Sequence, residues 1–345
     1  MAKSGYAASY TGLPSGYKVP AEDLPHTRTF MQWPNNRKVY RDRIFLRMTQ
    51  QTIANIANTI AEFEPVIMLA DKAEHGRIRK LVSDQIELWD IPTEDLWCRD
   101  AGPLFAVHET KGLAVSNLNF NGWGEKQVHT SDSQIAALVA NRLGVPIYDS
   151  GLHGEAGGVE QDGHGTLVAH ESSWIINNRN RLPKTEVEAR LLTAFGASNM
   201  VWAKGVKGQD ITDYHIDSLA RFVGENQILI QLPEAPDSDD PWSIAAFESY
   251  ETLQAAKLHM TVIHEPVRPR IKSYDFVAAY ANYYVCNGAV IAAEFGDTET
   301  DAAAKVALQK LYPDREIITM NVDSLGELGG GIHCATQQQP AIYFG

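Results

Sequence analysis

Apolar side chains recur at helical spacing in five parts of the chain, and each part is followed closely by a short run of the type found in β-strands. In residues 43–63, the side chains of Ile53, Ile56 and Ile60 fall on one helical face. The strand-type run 65–70 follows directly. Besides this first unit, the pattern predicts helix–strand units over residues 133–148, 185–203, 244–263 and 301–320.

Further strand-type runs lie between these units. They occupy residues 102–107, 113–120, 166–169, 227–232 and 275–291. Each unit is therefore interpreted as one helix with several strands, and its recurrence after about fifty to ninety residues indicates an internal structural repeat. The repeat is one of pattern and not of identical residues, so an ordinary α/β domain is the alternative. No linker-like segment interrupts the chain, and we expect a single domain over residues 1–345.

The charged residues of the chain limit the kinds of molecule that it is expected to bind. The chain has 345 residues, of which 43 are acidic and 30 are basic, and its net charge is −13. We therefore exclude nucleic acid and anionic membranes as partners, because both bind basic patches. The charge is compatible with a cationic substrate, although many proteins are acidic only for solubility. No apolar run approaches the ~20 residues of a membrane span.

Cysteine content and the N-terminus indicate a reducing compartment. The three cysteines, Cys98, Cys286 and Cys334, are too few for a disulfide framework, and there is no Cys-x-x-Cys pair to indicate a zinc site. Cys98 and Cys286 lie in apolar runs, which favours plain core positions. Residues 1–6 lack the apolar core of a signal peptide. We predict a cytoplasmic protein, with secretion after removal of a signal as the alternative.

Residues suited to chemistry follow the five units one by one. If the units are related by rotation about one axis, the segments after them gather at one end of that axis, where a ligand site is expected. These segments are residues 97–103, 154–158, 210–217, 279–282 and 329–334.

Cys334 is the candidate nucleophile. The glycines 329–331 shortly before it permit unusual backbone angles and the close approach of a ligand. His215 and Asp217 form a His-x-Asp pair, and in an extended segment their side chains point to the same face, about 7 Å apart. One could move protons while the other binds a cation. The alternatives are a core cysteine and a surface or metal-ligand pair.

Two further carboxylates complete the set. Asp100 lies where a strand runs into a turn and could face a pocket, and Glu155 precedes a glycine-containing turn and could orient His215. Taken alone, Asp100 is equally a salt-bridge or turn carboxylate, and Glu155 is equally a loop carboxylate. Together with Cys334, the set resembles a thiol hydrolase with a planar cationic substrate, because a guanidinium needs carboxylates that accept its N–H fork.

The chain from Phe30-Met-Gln-Trp-Pro34 to the C-terminus carries a series of characteristic segments. They are residues 97–103, 162–166, 171–180, 210–222, 287–290, 295–297 and 329–338. Through these segments and their order, the sequence resembles the agmatine deiminase and bacterial-type peptidylarginine deiminase family of the guanidino-group-modifying enzymes. The resemblance implies an α/β fold, a five-bladed, pseudo-symmetric α/β-propeller called the pentein fold. Residues 1–28 are left as an N-terminal extension.

The resemblance implies a role for each candidate residue. Cys334 attacks the guanidinium carbon, while Asp100 and Asp217 hold the guanidinium nitrogens. His215 protonates the departing ammonia and then activates water, and Glu155 orients His215. The implied reaction needs no metal and no organic cofactor. The residues expected to line the substrate site are Trp33, Trp123, Asn282 and Gly331.

Three departures from the family pattern leave the choice of substrate open. They are Ala156 in place of a glycine, Tyr214 in place of a glycine, and residues 35–38, which lack an Asp-x-Trp-Arg motif. The first prediction is an agmatine deiminase, which produces N-carbamoylputrescine and ammonia. The alternatives are deimination of peptidyl or free arginine to citrulline, hydrolysis of a methylated arginine or another guanidine, and a non-catalytic binding protein on the same fold.

Charged side chains near the site bear on this choice. A nearby arginine would favour a carboxylate or peptide substrate, whereas an anionic distal wall would favour the terminal ammonium of agmatine. Arg37, Arg179 and Arg181 are the candidate arginines. The expected partner is a small cationic guanidine, and a homodimer is a form of self-association that the sequence leaves open.

Overall fold

The structure is a computed structural model that describes residues 10–342 of the chain. Its strands are β1 His26–Gln32, β2 Val66–Ala70, β3 Glu87–Asp90, β4 Leu104–His108, β5 Gly112–Asn117, β6 Ile147–Asp149, β7 Val159–Gln161, β8 Thr166–His170, β9 Asn199–Ala203, β10 Ala220–Gly224, β11 Gln227–Leu232, β12 His259–His264, β13 Tyr284–Cys286, β14 Ala289–Glu294, β15 Glu316–Asn321 and β16 Thr336–Pro340. Its longer helices are α1 Arg43–Ile60, α2 Ile135–Leu143, α3 Lys184–Phe195, α4 Pro241–Ala255 and α5 Thr298–Leu311. Single α-helical turns cover His75–Ile78, Cys98–Ala101, Gly122–Glu125, Glu171–Trp174 and Asp323–Gly326, and 3₁₀ turns cover Lys72–Glu74, Asp132–Gln134, Ala156–Gly158 and Ile216–Ser218.

One structural unit recurs around the molecule. Strands β4 and β5 pair antiparallel, helix α2 follows, and β6 returns parallel to β5. The same order is repeated by β7–β9 with α3, by β10–β12 with α4 and by β13–β15 with α5. The strands of residues 10–342 thus form five small mixed sheets, and the fold is the five-bladed α/β propeller of the penteins. The predicted fold class is confirmed.

The fifth blade is assembled from two distant parts of the chain. Strand β16 pairs antiparallel with β1, and β1 pairs parallel with β2 across helix α1. Strand β3 adds a fourth, parallel strand. The repeat is therefore circularly shifted, since the unit that begins with β16 continues at β1 and closes the ring of sheets.

The five predicted helices are confirmed, and capping residues define their ends. Helix α1 begins after Asp42, whose Oδ1 accepts hydrogen bonds from the backbone N–H groups of Ile44 and Phe45 at 2.6 and 3.0 Å. Helices α2 and α3 end at Gly144 and Gly196, whose φ values of 68° and 64° favour glycine. Over residues 10–342, no helix is both long enough and apolar enough to cross a membrane.

The strand-type run predicted over residues 275–291 is wrong in its first half. Strands occupy only β13 and β14 of this stretch. The preceding segment is a turn in which Oε1 of Gln231 accepts hydrogen bonds from the backbone N–H groups of Tyr280 and Ala281 at 2.6 and 3.3 Å. This turn brings Asn282 into the buried cluster described below.

The segment predicted as an N-terminal extension belongs to the fold wherever the structure describes it. Residues 1–9 lie outside the described residues. The side chains of Tyr17 and Val19 are buried in a hydrophobic cluster with blade residues, and Lys18 forms a β-bridge with Val107. Glu22 reaches the interior, where it contacts several blades. The physical reason is that this segment covers apolar and charged groups that the propeller would otherwise leave open.

Candidate active site

The five side chains predicted to be catalytic lie together, and all are buried. Nδ1 of His215 is 3.8 Å from Oδ1 of Asp100, and its Nε2 is 3.1 Å from Oε2 of Glu155. Sγ of Cys334 is 3.4 Å from Oδ2 of Asp217. The structure therefore shows the convergence that a rotational repeat predicts.

Gly157 marks the point where these groups converge. A Cβ atom on this residue would lie 2.8 Å from Oδ1 of Asp100, 3.0 Å from Nδ1 of His215 and 3.1 Å from Oδ2 of Asp217. These distances are shorter than ordinary van der Waals contacts. Gly157 is not among the residues with positive φ, so space and not backbone conformation requires the glycine. The missing side chain leaves room between the two carboxylates and the imidazole.

The thiol of Cys334 is held by Asn282, a residue expected to line the site. The side-chain amide of Asn282 donates to Sγ at 3.1 Å, and its Oδ1 accepts from the backbone N–H of Cys334 at 3.2 Å. Burial raises the pKa of the Cys334 thiol well above its usual range, and the charges of Asp217 and Asp100 raise it further. The resting group in this environment is the thiol and not the thiolate.

The three glycines before the nucleophile serve two purposes. Gly329 has a φ of 91°, a conformation that favours glycine. A Cβ on Gly330 would lie 2.6 Å from the indole ring of Trp97, and a Cβ on Gly331 would lie 2.6 Å from Oδ1 of Asn282. The first glycine thus allows the turn, while the other two allow the close approach of neighbouring groups. The structure places Gly331 directly against Asn282.

His215 is a proton donor at neutral pH. Burial would lower the pKa of its ring, but the charge of Asp100 and the hydrogen bond and charge of Glu155 outweigh burial and raise that pKa to about 9. The imidazolium form therefore persists through the neutral range. Its Nδ1 faces the space beside Gly157, while Nε2 is occupied by Glu155.

The backbone of the His-x-Asp pair differs from the extended geometry expected from the sequence. His215 is extended, but Asp217 lies in the 3₁₀ turn Ile216–Ser218. The two side chains nevertheless reach the same place, because both have an atom close to the Cβ position of Gly157. The 3₁₀ turn therefore brings the two side chains together, and not the alternation of side chains along a strand that the sequence predicts.

Glu155 is fixed by a buried arginine. Nε of Arg179 lies 3.0 and 2.9 Å from the two carboxylate oxygens of Glu155, and Nη1 donates to Oδ2 of Asp213 at 2.7 Å. Lys126 donates to the same Asp213 oxygen at 2.7 Å. Burial would raise the pKa of Glu155, but Arg179 and His215 lower it. An anionic Glu155 is therefore available to orient His215, and Arg179 is engaged in ion pairs.

Asp100 and Asp217, the two carboxylates predicted to hold the guanidinium, are called the clamp below. Their environments differ. Burial raises the pKa of Asp100 to about 6 against the opposing charge of His215, and its Oδ2 accepts the indole N–H of Trp123 at 2.8 Å. Burial would also raise the pKa of Asp217, but the hydrogen bond and charge of His333 lower it. Oδ1 of Asp217 is buried and has no hydrogen-bond partner among residues 10–342. Such an acceptor is suited to a donor supplied by a ligand.

The other predicted contact residues and arginines lie in different places. Trp123 orients Asp100 through its indole N–H. Trp33 is fully buried in the main hydrophobic core, and its indole N–H has no acceptor in the described part of the chain. Arg37 and Arg181 donate to backbone carbonyl groups four residues away. The hydrogen bonds reported above connect Trp123, but not Trp33, to the cluster.

Two further side chains belong to the cluster although the sequence pattern does not single them out. His333 lies with Nδ1 2.7 Å from Oδ2 of Asp217 and Nε2 3.0 Å from Oε2 of Glu22. His333 directly precedes Cys334 in the most characteristic segment, which is a signal that could identify it. Glu22 has no such signal, because its importance arises from contacts distant in sequence.

Oδ1 of Asp217, which has no donor among residues 10–342, and the thiol of Cys334 together suit one kind of substrate. A guanidinium is a planar cation that presents N–H groups on more than one edge, and carboxylates can hold those edges while its carbon faces a nucleophile. Among residues 10–342, no group of three or more His, Cys, Asp or Glu side chains is arranged to hold a metal ion. By its fold and by this set of thiol, histidine and carboxylates, the chain is of the class of pentein enzymes that hydrolyse a guanidino group.

Comparison with known proteins gives the family. The sequence model described as Porphyromonas-type peptidyl-arginine deiminase matches residues 18–340, and the chain belongs to that family. A Streptomyces coelicolor protein with the provisional name agmatine deiminase is 30% identical over 94% of this chain and 99% of its own length. The agmatine deiminase of Medicago truncatula is 28% identical over 95% of this chain and 97% of its own. The structure of the agmatine deiminase of Enterococcus faecalis has the same fold, with a TM-score of 0.87 and 23% identity over 97% of this chain and 100% of that one.

Proposed function

We propose that the protein is an agmatine deiminase, which converts agmatine and water to N-carbamoylputrescine and ammonia through a covalent intermediate on Cys334. The observation that carries this proposal is the anionic carboxylate of Asp217, whose buried Oδ1 has no donor among residues 10–342 and whose Oδ2 lies 3.4 Å from Sγ of Cys334. The choice of agmatine is supported by the relatives in Streptomyces coelicolor and Medicago truncatula, whose names refer to this activity.

The carboxylates orient the substrate before any bond changes. Oδ1 of Asp217 and the carboxylate of Asp100 accept N–H groups of the guanidinium, which places its carbon opposite Sγ of Cys334. Asn282 holds Sγ from the side. Since all these groups are fixed by buried hydrogen bonds, little rearrangement is needed when the substrate enters.

The guanidinium also activates the thiol. In the free enzyme, burial and the negative charges of Asp217 and Asp100 raise the pKa of Cys334. A bound guanidinium neutralises these charges, and its own charge stabilises a thiolate. The thiol proton is released to solvent as the thiolate forms, and Asp217 stays anionic to hold the cation. Thiolate formation is therefore coupled to the binding of the cation.

His215 acts first as an acid and then as a base. Sγ of Cys334 forms a bond to the guanidinium carbon, and the resulting tetrahedral adduct breaks a C–N bond as His215 donates its proton to the departing nitrogen, which leaves as ammonia. Neutral His215 then takes a proton from water, and the hydroxide adds to the thiouronium carbon. As the C–S bond breaks, the proton of the added hydroxyl group passes to the departing sulfur, which releases the ureido product and restores the thiol of Cys334. Glu155 keeps the ring of His215 oriented throughout.

Ammonia release from agmatine, free arginine and an arginine-containing peptide tests the proposal, with Cys334→Ala as the control. We expect turnover of agmatine by the wild type and none by Cys334→Ala. Turnover of arginine or of the peptide in place of agmatine would contradict the substrate and indicate a citrulline-forming enzyme. Full turnover by Cys334→Ala would contradict the covalent mechanism.

We place this activity in the cytoplasm, because a catalytic thiol is kept reduced there. All three cysteines are free, and burial raises the pKa of both Cys98 and Cys286 well above the usual range of a thiol. Cell fractionation with an antibody to the protein tests this location. A homodimer stays a separate prediction, and light scattering of the purified protein measures it.

A further inference from the structure

His333 is enclosed between two carboxylates. Its Nδ1 lies 2.7 Å from Oδ2 of Asp217, and its Nε2 lies 3.0 Å from Oε2 of Glu22. Burial would raise the pKa of both acids, but the charges of Arg221 and His333 lower that of Glu22, and His333 lowers that of Asp217. Both acids are thus anionic. Because a carboxylate oxygen only accepts hydrogen bonds, both ring nitrogens of His333 donate.

Glu22 is itself held from several directions. Its Oε2 accepts from Nη2 of Arg99 at 2.9 Å as well as from His333. Its Oε1 accepts from Nη2 of Arg221 and from the backbone N–H of Val285, both at 3.0 Å. These partners come from different blades of the propeller. The carboxylate therefore cannot turn away from His333 without breaking several charged hydrogen bonds.

We propose that Glu22 and His333 are positioning residues of the active site, which keep Asp217 anionic and leave its Oδ1 free to bind the guanidinium. This role rests on the proposed function and explains how its clamp works. It also makes the segment before β1 a working part of the site, although that segment supplies no group that touches the substrate.

The clamp needs this support because of its burial. A buried carboxylate without a cationic partner takes up a proton, and the negative charge of Asp100 nearby adds to that tendency. Neutral Asp217 would carry an O–H donor where the guanidinium requires an acceptor. The hydrogen bond from His333 to Oδ2 keeps Asp217 anionic. Oδ1 of Asp217 is then left free to accept from the guanidinium. Glu22 in turn accepts from the other ring nitrogen of His333 and holds the ring in place.

The chain offers a matched control in a second buried pair of histidine and glutamate. Nδ1 of His26 is 3.1 Å from Oε2 of Glu64, and Glu64 also accepts hydrogen bonds from the hydroxyl groups of Thr29 and Tyr284. The hydrogen bonds of Glu64 within residues 10–342 do not reach Cys334, and among these residues Nε2 of His26 meets Glu22 at its backbone carbonyl, at 2.8 Å, and not at its carboxylate. Glu64→Gln therefore removes the same charge from the same kind of pair outside the active site.

The experiment compares Glu22→Gln, His333→Asn and Glu64→Gln with the wild type by ammonia release from agmatine between about pH 5 and about pH 10. In His333→Asn the side-chain amide can still donate to Asp217 but carries no charge. We expect Glu22→Gln and His333→Asn to raise KM about ten-fold with a smaller change in kcat, because the clamp holds the cation already in the ground state. Asp100 sets the acid limb of kcat/KM in the wild type, and we expect this limb to move upward by about one pH unit in both variants, because Asp217 then becomes the last carboxylate to ionise.

The control separates positioning from mere folding. We expect Glu64→Gln to lower the midpoint of thermal unfolding while KM and the pH profile stay at wild-type values. The inference is overturned if Glu22→Gln and His333→Asn also lower only the midpoint and keep the KM and the acid limb of the wild type.

A binding measurement keeps this inference distinct from the choice of substrate. If the wild type releases no ammonia from agmatine, the proposed function fails, and titration calorimetry with methylguanidinium chloride then tests the clamp in Cys334→Ser protein. Binding that is about ten-fold weaker when Glu22→Gln or His333→Asn is added supports the inference. Equal binding with and without these changes overturns it, and so does the absence of binding in every protein.

Discussion

At the scale of single residues, the side of Gly157 that lacks a Cβ faces Asp100, His215 and Asp217. A methyl group there would stand within about 3 Å of each, which is closer than van der Waals contact allows. The three polar groups would have to separate, and the space between them would be filled. The shape of the site therefore depends on the absence of one methyl group.

We predict that Gly157→Ala lowers kcat/KM for agmatine by about 100-fold, because a displacement of about 1 Å in a catalytic group has effects of this size. Steady-state ammonia release measures the change. Gly76→Ala is the control, since a Cβ on Gly76 meets no atom within 4 Å. Wild-type kinetics in Gly157→Ala would show that the substrate does not approach this residue.

The pH dependence of kcat/KM follows from two groups with raised pKa values. Asp100 has to be anionic to hold the cation, so activity is lost as the pH falls through about 6. His215 has to be protonated to release ammonia, so activity is lost as the pH rises through about 9. We predict a bell-shaped profile between these limits in a pH series of initial rates. A rate that continues to rise above pH 9 would instead indicate that thiol ionisation limits the reaction.

The sequence predicts which residues form this site, but it does not predict the contacts and the protonation states of those residues. Cys334 and His215 stand in segments whose glycines and polar residues are unusual, and these segments recur with the repeat. The roles of Arg179 and Glu22 depend on contacts with residues far away in sequence, and no local pattern specifies such contacts. Burial also decides the resting protonation of Cys334, which a linear sequence does not reveal.

At the scale of elements, the turn before His215 is strained. Asp213 and Tyr214 have φ values of 59° and 70°, a backbone conformation that residues other than glycine rarely adopt. The ring of Tyr214 stacks on His170 with 4.5 Å between centroids and meets Trp242 edge-on at 4.9 Å. This aromatic contact holds the backbone in a conformation that favours glycine.

We predict that Tyr214→Gly lowers the free energy of unfolding by about 2 kcal/mol, since loss of the buried ring costs about 3 kcal/mol and relief of backbone strain returns about 1 kcal/mol. Urea unfolding followed by fluorescence measures the difference. Tyr214→Phe keeps the ring and is expected to remain close to the wild type. A Tyr214→Gly protein more stable than the wild type would mean that the strain outweighs the aromatic contact.

Elements with apolar periodicity are predictable from the sequence, whereas buried polar ones are not. The five helices and the strands after them follow from spacing, because their buried faces are apolar. Strand β16 reads Thr-Gln-Gln-Gln-Pro and is nevertheless buried along its length. Its Gln338 accepts a hydrogen bond from Arg99 at 2.8 Å, whereas Oε1 of Gln337 and Oε1 of Gln339 have no partner among residues 10–342. No apolar pattern reveals such a strand.

At the scale of the whole molecule, the pairing of β16 with β1 closes the ring. Five residue pairs join the two strands. We predict that a chain cut after Ala335 loses about 5 kcal/mol of stability, at about 1 kcal/mol for each lost pairing, which is comparable with the total stability of many proteins. Urea unfolding and ammonia release measure the loss, with a chain cut after Ile342 as the control. Cooperative unfolding at the wild-type midpoint after the Ala335 cut would contradict the role of this closure.

The position of Cys334 directly before β16 has a consequence for the newborn protein. During translation β1 is made early and then waits with an open edge until the strand that covers it leaves the ribosome. By that time the chain already contains Asp100, His215 and Asp217, but the sulfur that attacks the substrate arrives only with the closing segment. A nascent chain therefore lacks the nucleophile, and it gains the nucleophile with the same segment that covers the open edge of β1.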